Sequence, residues 1–234
     1  MRAPRAKTVE RLRAPDELAL FSACVLSATP LELAEGGALL YPAWLARPVA
    51  GALLASLRDG TPWHRERRMM YDRLVDVPRE QAWFGDARAW RRDGAQAELE
   101  TAPAAALPGT EVVVRPWTPE LARVRDDLQL LVGRPFAYVL VNRYRDGRDS
   151  VAWHNDRLHP ALPEPTIASL SLGATRAFDL RAKARPGAVI SIDLAHGDLL
   201  VMRGAMQRRY DHRVRKDPRV TGERLNLTFR EQPH

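Results

Sequence analysis

The 234-residue chain has a single cysteine, Cys24, so it can form neither an intramolecular disulfide nor a zinc site built on several cysteines. It has no apolar run near the roughly 20 residues that span a bilayer. No small-residue cleavage site follows its basic N-terminal stretch. Low-complexity tracts and internal repeats are absent. We therefore expect one soluble folded unit in a reducing compartment, by default the cytoplasm, with no membrane partner.

The chain has fewer acidic than basic residues, 29 Asp and Glu against 36 Lys and Arg, which gives a formal net charge of +7. Most of the basic residues are arginines, whose planar guanidinium group can bond two phosphate oxygens at once. This composition suits a polyanionic partner. A GC-rich coding sequence would produce the same excess of arginine, so the charge alone does not decide the function.

The first part of the chain carries helix signals and irregular segments. Leu and Ala recur at helical spacing over residues 42–60, and the Asp-Gly pair at 59–60 predicts the end of a helix there. The basic and aromatic stretch that follows has no sustained period, which predicts loops and short strands. Residues 97–109 are rich in Ala and Pro and predict a surface connection. We place a boundary there, between an N-terminal extension, 1–109, and a core, 110–234.

The core begins with a helix and continues as strands. Thr118 is suited to cap a helix, Pro119 to occupy its first turn and Gly133 to end it. Turn residues then separate seven strand-like segments: FAYVLVNRY, TIASLSLG, AFDLRA, AVISIDL, DLLVMRG, RYDHRV and RLNLTFR. So many short strands in about a hundred residues predict a β-sandwich or jelly roll.

Two His-x-Asp tripeptides compete as a metal site. A mononuclear iron site uses two imidazoles and one carboxylate on one face of the metal. His154 and Asp156 would lie on the same side of an extended chain, and His212 in a distant strand would complete the set. His196 and Asp198 flank a glycine between two apolar strands, which indicates a tight turn instead. We favour the first set, although a His-x-Asp tripeptide alone is weak evidence.

The last strand-like segment, RLNLTFR, places polar residues on one face and apolar residues on the other. Arg224, Asn226, Thr228 and Arg230 alternate with leucine and phenylalanine. A buried arginine needs an anion, so the two guanidinium groups would suit a small dicarboxylate. Six residues of strand span about 20 Å, so twist and long side chains must bring the groups together. The alternative is an exposed face with solvated arginines. A matching polar pair shares one face of VLVNRYRDG: Asn142 and Tyr144.

Several motifs together resemble one family. They are VPREQAWFGD, PWTPEL, N-x-Y-x-x-G, His-x-Asp, SLSLG, HG-x-LL-x-M and R-x-N-L-T-F-R, in the same order over roughly two thirds of the chain. This combination is similar to the AlkB-like Fe(II)/2-oxoglutarate dioxygenases of the nucleic-acid-repair branch. The resemblance implies an α+β fold, in which a double-stranded β-helix (jelly roll) core carries flanking helices and an N-terminal nucleotide-recognition lid.

The resemblance also implies a role for individual residues. The implied iron ligands are His154, Asp156 and His212. The implied 2-oxoglutarate pocket consists of Asn142, Tyr144, Arg224, Asn226 and Arg230. In this arrangement Arg224 pairs with the distal carboxylate, and Arg230 lies near Asp156 and the carboxylate that chelates iron. His196 is left with a structural role, in agreement with the turn argument.

The implied activity is oxidative dealkylation of N-alkylated DNA bases with Fe(II), 2-oxoglutarate and O2, releasing formaldehyde from methyl lesions. A base extruded from a duplex needs an aromatic partner, for which Trp83 or Trp90 is placed near the lid. Relatives usually continue the metal motif with acidic residues, whereas this chain has Arg157, which bears on base preference.

Two alternatives remain open. The first is the same chemistry on RNA or on a protein side chain, and the second is a nucleic-acid-binding module without turnover. We expect a monomer whose partner is nucleic acid, alkylated DNA or RNA.

Overall fold

A computed structural model describes residues 27–31, 33, 37–70, 73–86, 113–156, 162–184 and 187–231. The helices in these ranges are α1 (Arg47–Gly60), α2 (Pro119–Val132) and α3 (Met206–Arg209). The strands of the N-terminal part are β1 (Thr29–Pro30), β2 (Gly37–Tyr41), β3 (Arg67–Met70), β4 (Arg73–Asp76) and β5 (Glu80–Gly85). The remaining strands are β6 (Val114–Arg115), β7 (Tyr138–Tyr144), β8 (Val151–His154), β9 (Ile167–Gly173), β10 (Arg176–Ala182), β11 (Val189–Leu194), β12 (Leu199–Arg203), β13 (Tyr210–Val214) and β14 (Arg224–Arg230).

Two sheets form the body of the molecule. The major sheet has eight strands in the order β1-β2-β12-β9-β14-β7-β5-β6, and the minor sheet has four in the order β11-β10-β13-β8. Strands β3 and β4 form a separate hairpin. Strand β14 lies between β7 and β9, antiparallel to both over its whole length. The last strand of the chain is therefore at the centre of the major sheet.

Each face of the major sheet is covered by a different layer. On one face, leucine and phenylalanine of β14 pack with apolar residues of α1 and α2, including Leu53, Leu121 and Leu128. On the other face, Tyr144 and Met202 pack with residues of the minor sheet such as Leu180. We call the space between the two sheets the cleft. The alternation of RLNLTFR follows from this arrangement, because its polar side faces the cleft.

The sequence signals of helix α2 are confirmed. The Thr118 hydroxyl accepts a hydrogen bond from the Leu121 amide at 3.3 Å, and Pro119 occupies the first turn. Gly133 ends the helix in a left-handed conformation with φ of 67°.

Helix α1 begins at Arg47, five residues later than the periodicity predicted, and ends at Gly60 as expected. Pro48 lies in the first turn, a position that suits proline because the backbone N–H groups there have no partner within the helix.

The seven strand-like segments of the core all form strands, within two residues of the predicted ends. Two facing sheets with helices on one side agree with the predicted α+β jelly-roll fold. Strands β2 and β5, from the N-terminal part, pair with β12 and β7, from the core. The boundary predicted at residue 109 and most of the predicted lid fall on residues 87–112, outside the described residues. Within the described ranges, no helix combines the length and apolar character needed to cross a membrane.

Candidate metal and cosubstrate site

The paired strands β8 and β13 of the minor sheet bring together the residues predicted to hold iron. His212 is opposite His154 in the strand register, and their ring centroids are 4.3 Å apart. Strand β8 ends at His154, so Asp156 lies just beyond it rather than within it. One ligand atom from each residue lies within 4.8 Å of the other two. In the described part of the chain this is the one such group of His, Cys, Asp or Glu.

The protonation states of these three side chains suit a divalent cation. Burial lowers the pKa of His212 to about 3, with a further contribution from the neighbouring His154, and burial also lowers the pKa of His154. Burial alone would raise the pKa of Asp156, but the charges of Arg230, His212 and His154, together with the Arg230 hydrogen bond, more than offset it and the pKa is lowered. Two neutral imidazoles and one carboxylate are the donors that Fe(II) takes in such sites.

A hydrogen bond also fixes the orientation of the His154 ring. Its Nδ1 lies 2.8 Å from the carbonyl oxygen of Ala152. Because a carbonyl oxygen only accepts, Nδ1 carries the proton and Nε2 keeps its lone pair for a metal.

Gln207, on the short helix α3, is a contact of Asp156 that sequence reasoning missed. Its side chain is 1% exposed, and its Oε1 accepts a hydrogen bond from the Asp156 amide at 2.9 Å. The other end of the carboxamide faces the sulfur of Met202 at 3.7 Å. No motif marks Gln207, because its role depends on a four-residue helix that the periodicity does not resolve.

Arg224 lies at one end of β14, buried with 1% of its surface exposed. Its Nη2 donates to the Ser171 hydroxyl at 2.9 Å, and its guanidinium group lies 5.3 Å from the centre of the Tyr144 ring. Nε and Nη1 are buried and make no hydrogen bond within the described residues. Burial lowers the Arg224 pKa to about 10, although Tyr144 partly offsets this. A buried cation with unused donors is suited to an anionic ligand.

Arg230 lies at the other end of β14, next to the metal site. Its Nη2 donates to Oδ1 of Asp156 at 2.5 Å. Burial lowers its pKa, but Asp156 and Tyr138 together reverse the effect and the pKa is raised. Arg230 therefore keeps Asp156 ionised and fixes one of its oxygens, as expected for a residue near both the metal and its chelating carboxylate.

Asn142 and Asn226 lie between the two arginines, opposite each other on β7 and β14. The Asn226 amide donates to the Ser169 hydroxyl at 2.8 Å. Its carbonyl oxygen accepts from the Thr228 hydroxyl at 3.3 Å. The cleft face of the major sheet thus presents the predicted pocket residues side by side. Their role in binding stays a prediction.

Of the predicted base-binding residues, only Trp83 lies among the described residues. It is on β5, 7% exposed, and its ring centroid is 5.9 Å from that of Tyr138. With Tyr138 and Leu140 it forms a small apolar cluster at the Arg230 end of the cleft. Trp90 and Arg157 lie outside the described residues.

The competing His-Gly-Asp tripeptide forms a turn that joins separate segments. The two carboxylate oxygens of Asp198 accept from the amides of Ala43 and Ala195, each at 2.8 Å. His196 Nδ1 accepts from the Gly173 amide at 2.9 Å. Gly197 has φ of 89°, and a Cβ there would lie 2.4 Å from the Leu45 carbonyl oxygen. The side chains of Asp198 and His196 therefore accept hydrogen bonds from backbone amides, in agreement with the structural role expected for His196.

Comparison with known proteins identifies the family. The model of the 2OG-Fe(II) oxygenase superfamily matches residues 37–230. The chain belongs to this superfamily. The oxygenase therefore uses Fe(II), 2-oxoglutarate and O2, and its donor set and buried Arg224 fit these groups.

Two relatives refine the comparison. The alpha-ketoglutarate-dependent dioxygenase alkB homolog 3 of Rattus norvegicus is 35% identical over 205 residues, covering 82% of this chain and 62% of the relative. The DNA oxidative demethylase ALKBH2 of Homo sapiens is 34% identical over 171 residues, covering 70% and 60%. The oxygenase thus spans less than two thirds of the length of these relatives.

Solved structures support the fold. OsALKBH1 superposes with a TM-score of 0.55 at 21% identity, over 87% of this chain and 100% of that one. A prolyl-4-hydroxylase from Pseudomonas putida gives 0.53 at 17% identity, over 86% and 95%. At these identities the likeness concerns the fold alone.

Proposed function

We propose that the oxygenase removes alkyl groups from nitrogen atoms of nucleic-acid bases, with alkylated DNA as its main substrate. The observation that carries the proposal is the cleft itself. A His154–Asp156–His212 donor set lies near one end of β14, and the buried Arg224, with unused donors, lies at the other. The names of the two relatives, an alkB homolog and a DNA oxidative demethylase, support this substrate class.

The side chains of the cleft would have separate roles in binding the metal and the cosubstrate. His154, Asp156 and His212 would hold the metal, and Arg224 would bind the distal carboxylate of 2-oxoglutarate. Arg230 would hold Asp156 ionised. Fe(II) with 2-oxoglutarate and O2 supplies an oxidant able to hydroxylate a methyl group on a base nitrogen. The resulting hydroxymethyl group leaves as formaldehyde and restores the base.

The surroundings of the site support this chemistry. Buried apolar residues pack between the two sheets beside the cleft, and a site with little water would protect both an oxidant and a cation-anion contact. Trp83 lies at the end of the cleft where a base would have to approach. We further propose that the oxygenase acts as a monomer in the cytoplasm.

The test is reconstitution with Fe(II) without oxygen, followed by an aerobic assay of succinate and formaldehyde. Methylated DNA, methylated RNA and methylated nucleosides are compared as substrates. We expect formaldehyde from DNA and at least a tenfold lower yield from nucleosides. Succinate without formaldehyde from any nucleic acid would refute the proposed substrate class and leave the oxygenase chemistry standing.

A pair of histidine variants tests the metal site. His212→Gln removes a proposed ligand, so iron binding and formaldehyde release should be lost. His196→Gln, in the structural turn, should keep iron binding and lose only stability. Turnover retained by His212→Gln would show that the third ligand is wrong.

A further inference from the structure

Two residues outside the predicted pocket make contact with Asn142. Arg79 Nε and Gln81 Nε2 both donate hydrogen bonds to its side-chain oxygen, at 2.9 Å and 3.0 Å. Arg79 is 8% exposed, Gln81 4% and Asn142 7%. Gln81 lies at the start of β5, the neighbour of β7 in the major sheet, and Arg79 immediately precedes that strand.

These contacts determine which way the Asn142 carboxamide points. A guanidinium group has donors but no acceptor, so the atom facing Arg79 must be the oxygen of Asn142. The Gln81 backbone is held in turn, because its amide and carbonyl group both bond to His64, at 2.7 Å and 3.0 Å. The orientation of Asn142 is therefore fixed by rigid neighbours.

In this fixed orientation, the N–H groups on Nδ2 of Asn142 are available to donate hydrogen bonds to a ligand. Nδ2 is on the branch of the planar carboxamide opposite the two donors, and within the described ranges it makes no hydrogen bond. Asn226 faces Asn142 across the β7–β14 pair, and Arg224 lies one cleft-facing position further along β14. An N–H donor at this place would add to the guanidinium group of Arg224 in binding an anion.

We propose that Arg79 and Gln81 are positioning residues that lock the Asn142 carboxamide with its N–H donors toward the carboxylate of 2-oxoglutarate. The inference rests on the proposed role of Asn142 in cosubstrate binding. Without the lock, the carboxamide can turn its oxygen toward the anion, which replaces an attractive contact by a repulsive one. Arg79 also adds positive charge near the metal site, where it contributes, after burial, to the lowered pKa of His154. The experiment must therefore separate orientation from charge.

The test is a double-mutant cycle on the dissociation constant of 2-oxoglutarate, measured by calorimetry on Mn(II)-loaded protein, which does not turn over. Arg79→Met and Asn142→Ala should each weaken binding about tenfold, and Gln81→Met about threefold, as expected for a hydrogen bond to a charged group and a neutral one. Arg79→Met combined with Asn142→Ala should be no weaker than Asn142→Ala alone. A direct effect of the Arg79 charge would persist in that background and would overturn the proposal.

Further variants complete the design. Arg79→Lys keeps a donor and should recover most of the affinity, whereas a loss equal to that of Arg79→Met would contradict the lock. Arg219→Met, at an exposed arginine paired with Asp217, is the matched control and should bind normally. If Arg79→Met fails to fold, Gln81→Met with Asn142→Ala provides the same cycle.

Arg224→Met tests the proposed 2-oxoglutarate pocket separately from the positioning of Asn142 by Arg79 and Gln81. It should abolish measurable binding if the proposed pocket is right, whatever Arg79 does. Loss with Arg224→Met but wild-type affinity with Arg79→Met and Gln81→Met would refute the lock and keep the pocket. Wild-type affinity in all of these variants would refute the pocket itself.

Discussion

At the scale of single residues, Arg224 is a buried cation, and we expect it to destabilise the unliganded protein. Its Nε and Nη1 are buried without a hydrogen bond in the described part of the chain, and burial lowers its pKa to about 10. We expect Arg224→Met to raise the free energy of unfolding of the unliganded protein by about 1–3 kcal/mol, the usual cost of unsatisfied buried polar groups. Urea denaturation with and without 2-oxoglutarate and Mn(II) measures it.

The control is the change in the free energy of unfolding when 2-oxoglutarate is added to the wild type and to Arg224→Met. With Mn(II) held constant, 2-oxoglutarate at about 100 times its dissociation constant should stabilise the wild type by about 2.7 kcal/mol and the variant not at all. An unliganded Arg224→Met protein less stable than the wild type would show that the guanidinium group is compensated in the free cleft.

Gln207 offers a second test at the residue scale, because it holds the backbone of a metal ligand. Gln207→Met has a similar shape but leaves the buried Asp156 amide without its acceptor. We expect Mn(II) to bind about 10–100-fold more weakly, as is typical when a contact that orients a metal ligand is lost. Gln207→Glu keeps an acceptor oxygen and should bind metal at least as well as the wild type. Equal Mn(II) affinity in all three proteins, measured by electron paramagnetic resonance titration, would contradict this role.

The site residues that were predicted from sequence belong to a strand alternation or to a short motif. Arg224 and Arg230 are spaced by an even number along an alternating strand, and His154 and Asp156 form a short motif. Gln207 has no such signal, and although Arg79 and Gln81 lie in VPREQAWFGD, one of the motifs of the resemblance, nothing in that motif indicates their contact with Asn142. All three act through contacts across 51 and more residues of sequence, which depend on strand pairing that spacing does not specify.

At the scale of elements, the loop after β7 and the loop before β14 are joined backbone to backbone. The Gly147 amide donates to the Val220 carbonyl at 2.7 Å, and the Asp217 amide donates to the Gly147 carbonyl at 2.8 Å. A Cβ on Gly147 would lie 1.7 Å from the Asp217 carbonyl oxygen. Gly147→Ala should therefore lower the free energy of unfolding by about 1–3 kcal/mol, the usual cost of overpacking.

The same substitution should also weaken 2-oxoglutarate binding, because the two loops adjoin Tyr144 and Arg224. Gly187→Ala is the matched control, since a Cβ there meets no atom within 4 Å. Thermal melts and calorimetry on both variants check these expectations, and a Gly147→Ala protein as stable as Gly187→Ala would refute the close contact.

Elements differ in how well their sequence predicted them. Alternation and turn residues located the strands of the core, and the Thr118, Pro119 and Gly133 signals located α2. The short strands β1, β2 and β6 were missed, and β8, VAWH, was predicted only as part of an extended segment at His154. Strand β2, GALLY, has no regular alternation of polar and apolar residues, and β1 and β6 have two residues each, so pairing rather than propensity forms them.

At the scale of the whole molecule, the number of strands predicted a sandwich or jelly roll, but not which strands are neighbours. Strand β14 lies between β7 and β9, and β8 pairs with β13, over sequence separations that no local signal spans. The resemblance implied a double-stranded β-helix and the residues of its site, but it was not used to predict which strands pair. The residue pattern alone favoured His154, Asp156 and His212 over the competing tripeptide, and the resemblance implied the same set.

The net charge of +7 yields the last prediction, which concerns nucleic-acid affinity. If the basic surface binds phosphates, counterions are released and the logarithm of the association constant falls linearly with the logarithm of salt concentration. Four phosphate contacts would give a slope of about −3 on single strands and about −3.6 on duplex DNA. By contrast, 2-oxoglutarate binds in a buried cleft, where salt screens charges far less, so its affinity should change little. The measurement is fluorescence anisotropy with a methylated oligonucleotide from 50 to 200 mM NaCl. Over this range, proteins with six phosphate contacts usually lose about 10³-fold or more in affinity. Salt-independent oligonucleotide binding would contradict a phosphate-binding surface, and equally steep slopes for oligonucleotide and 2-oxoglutarate would place both ligands on the exposed surface rather than one in the cleft.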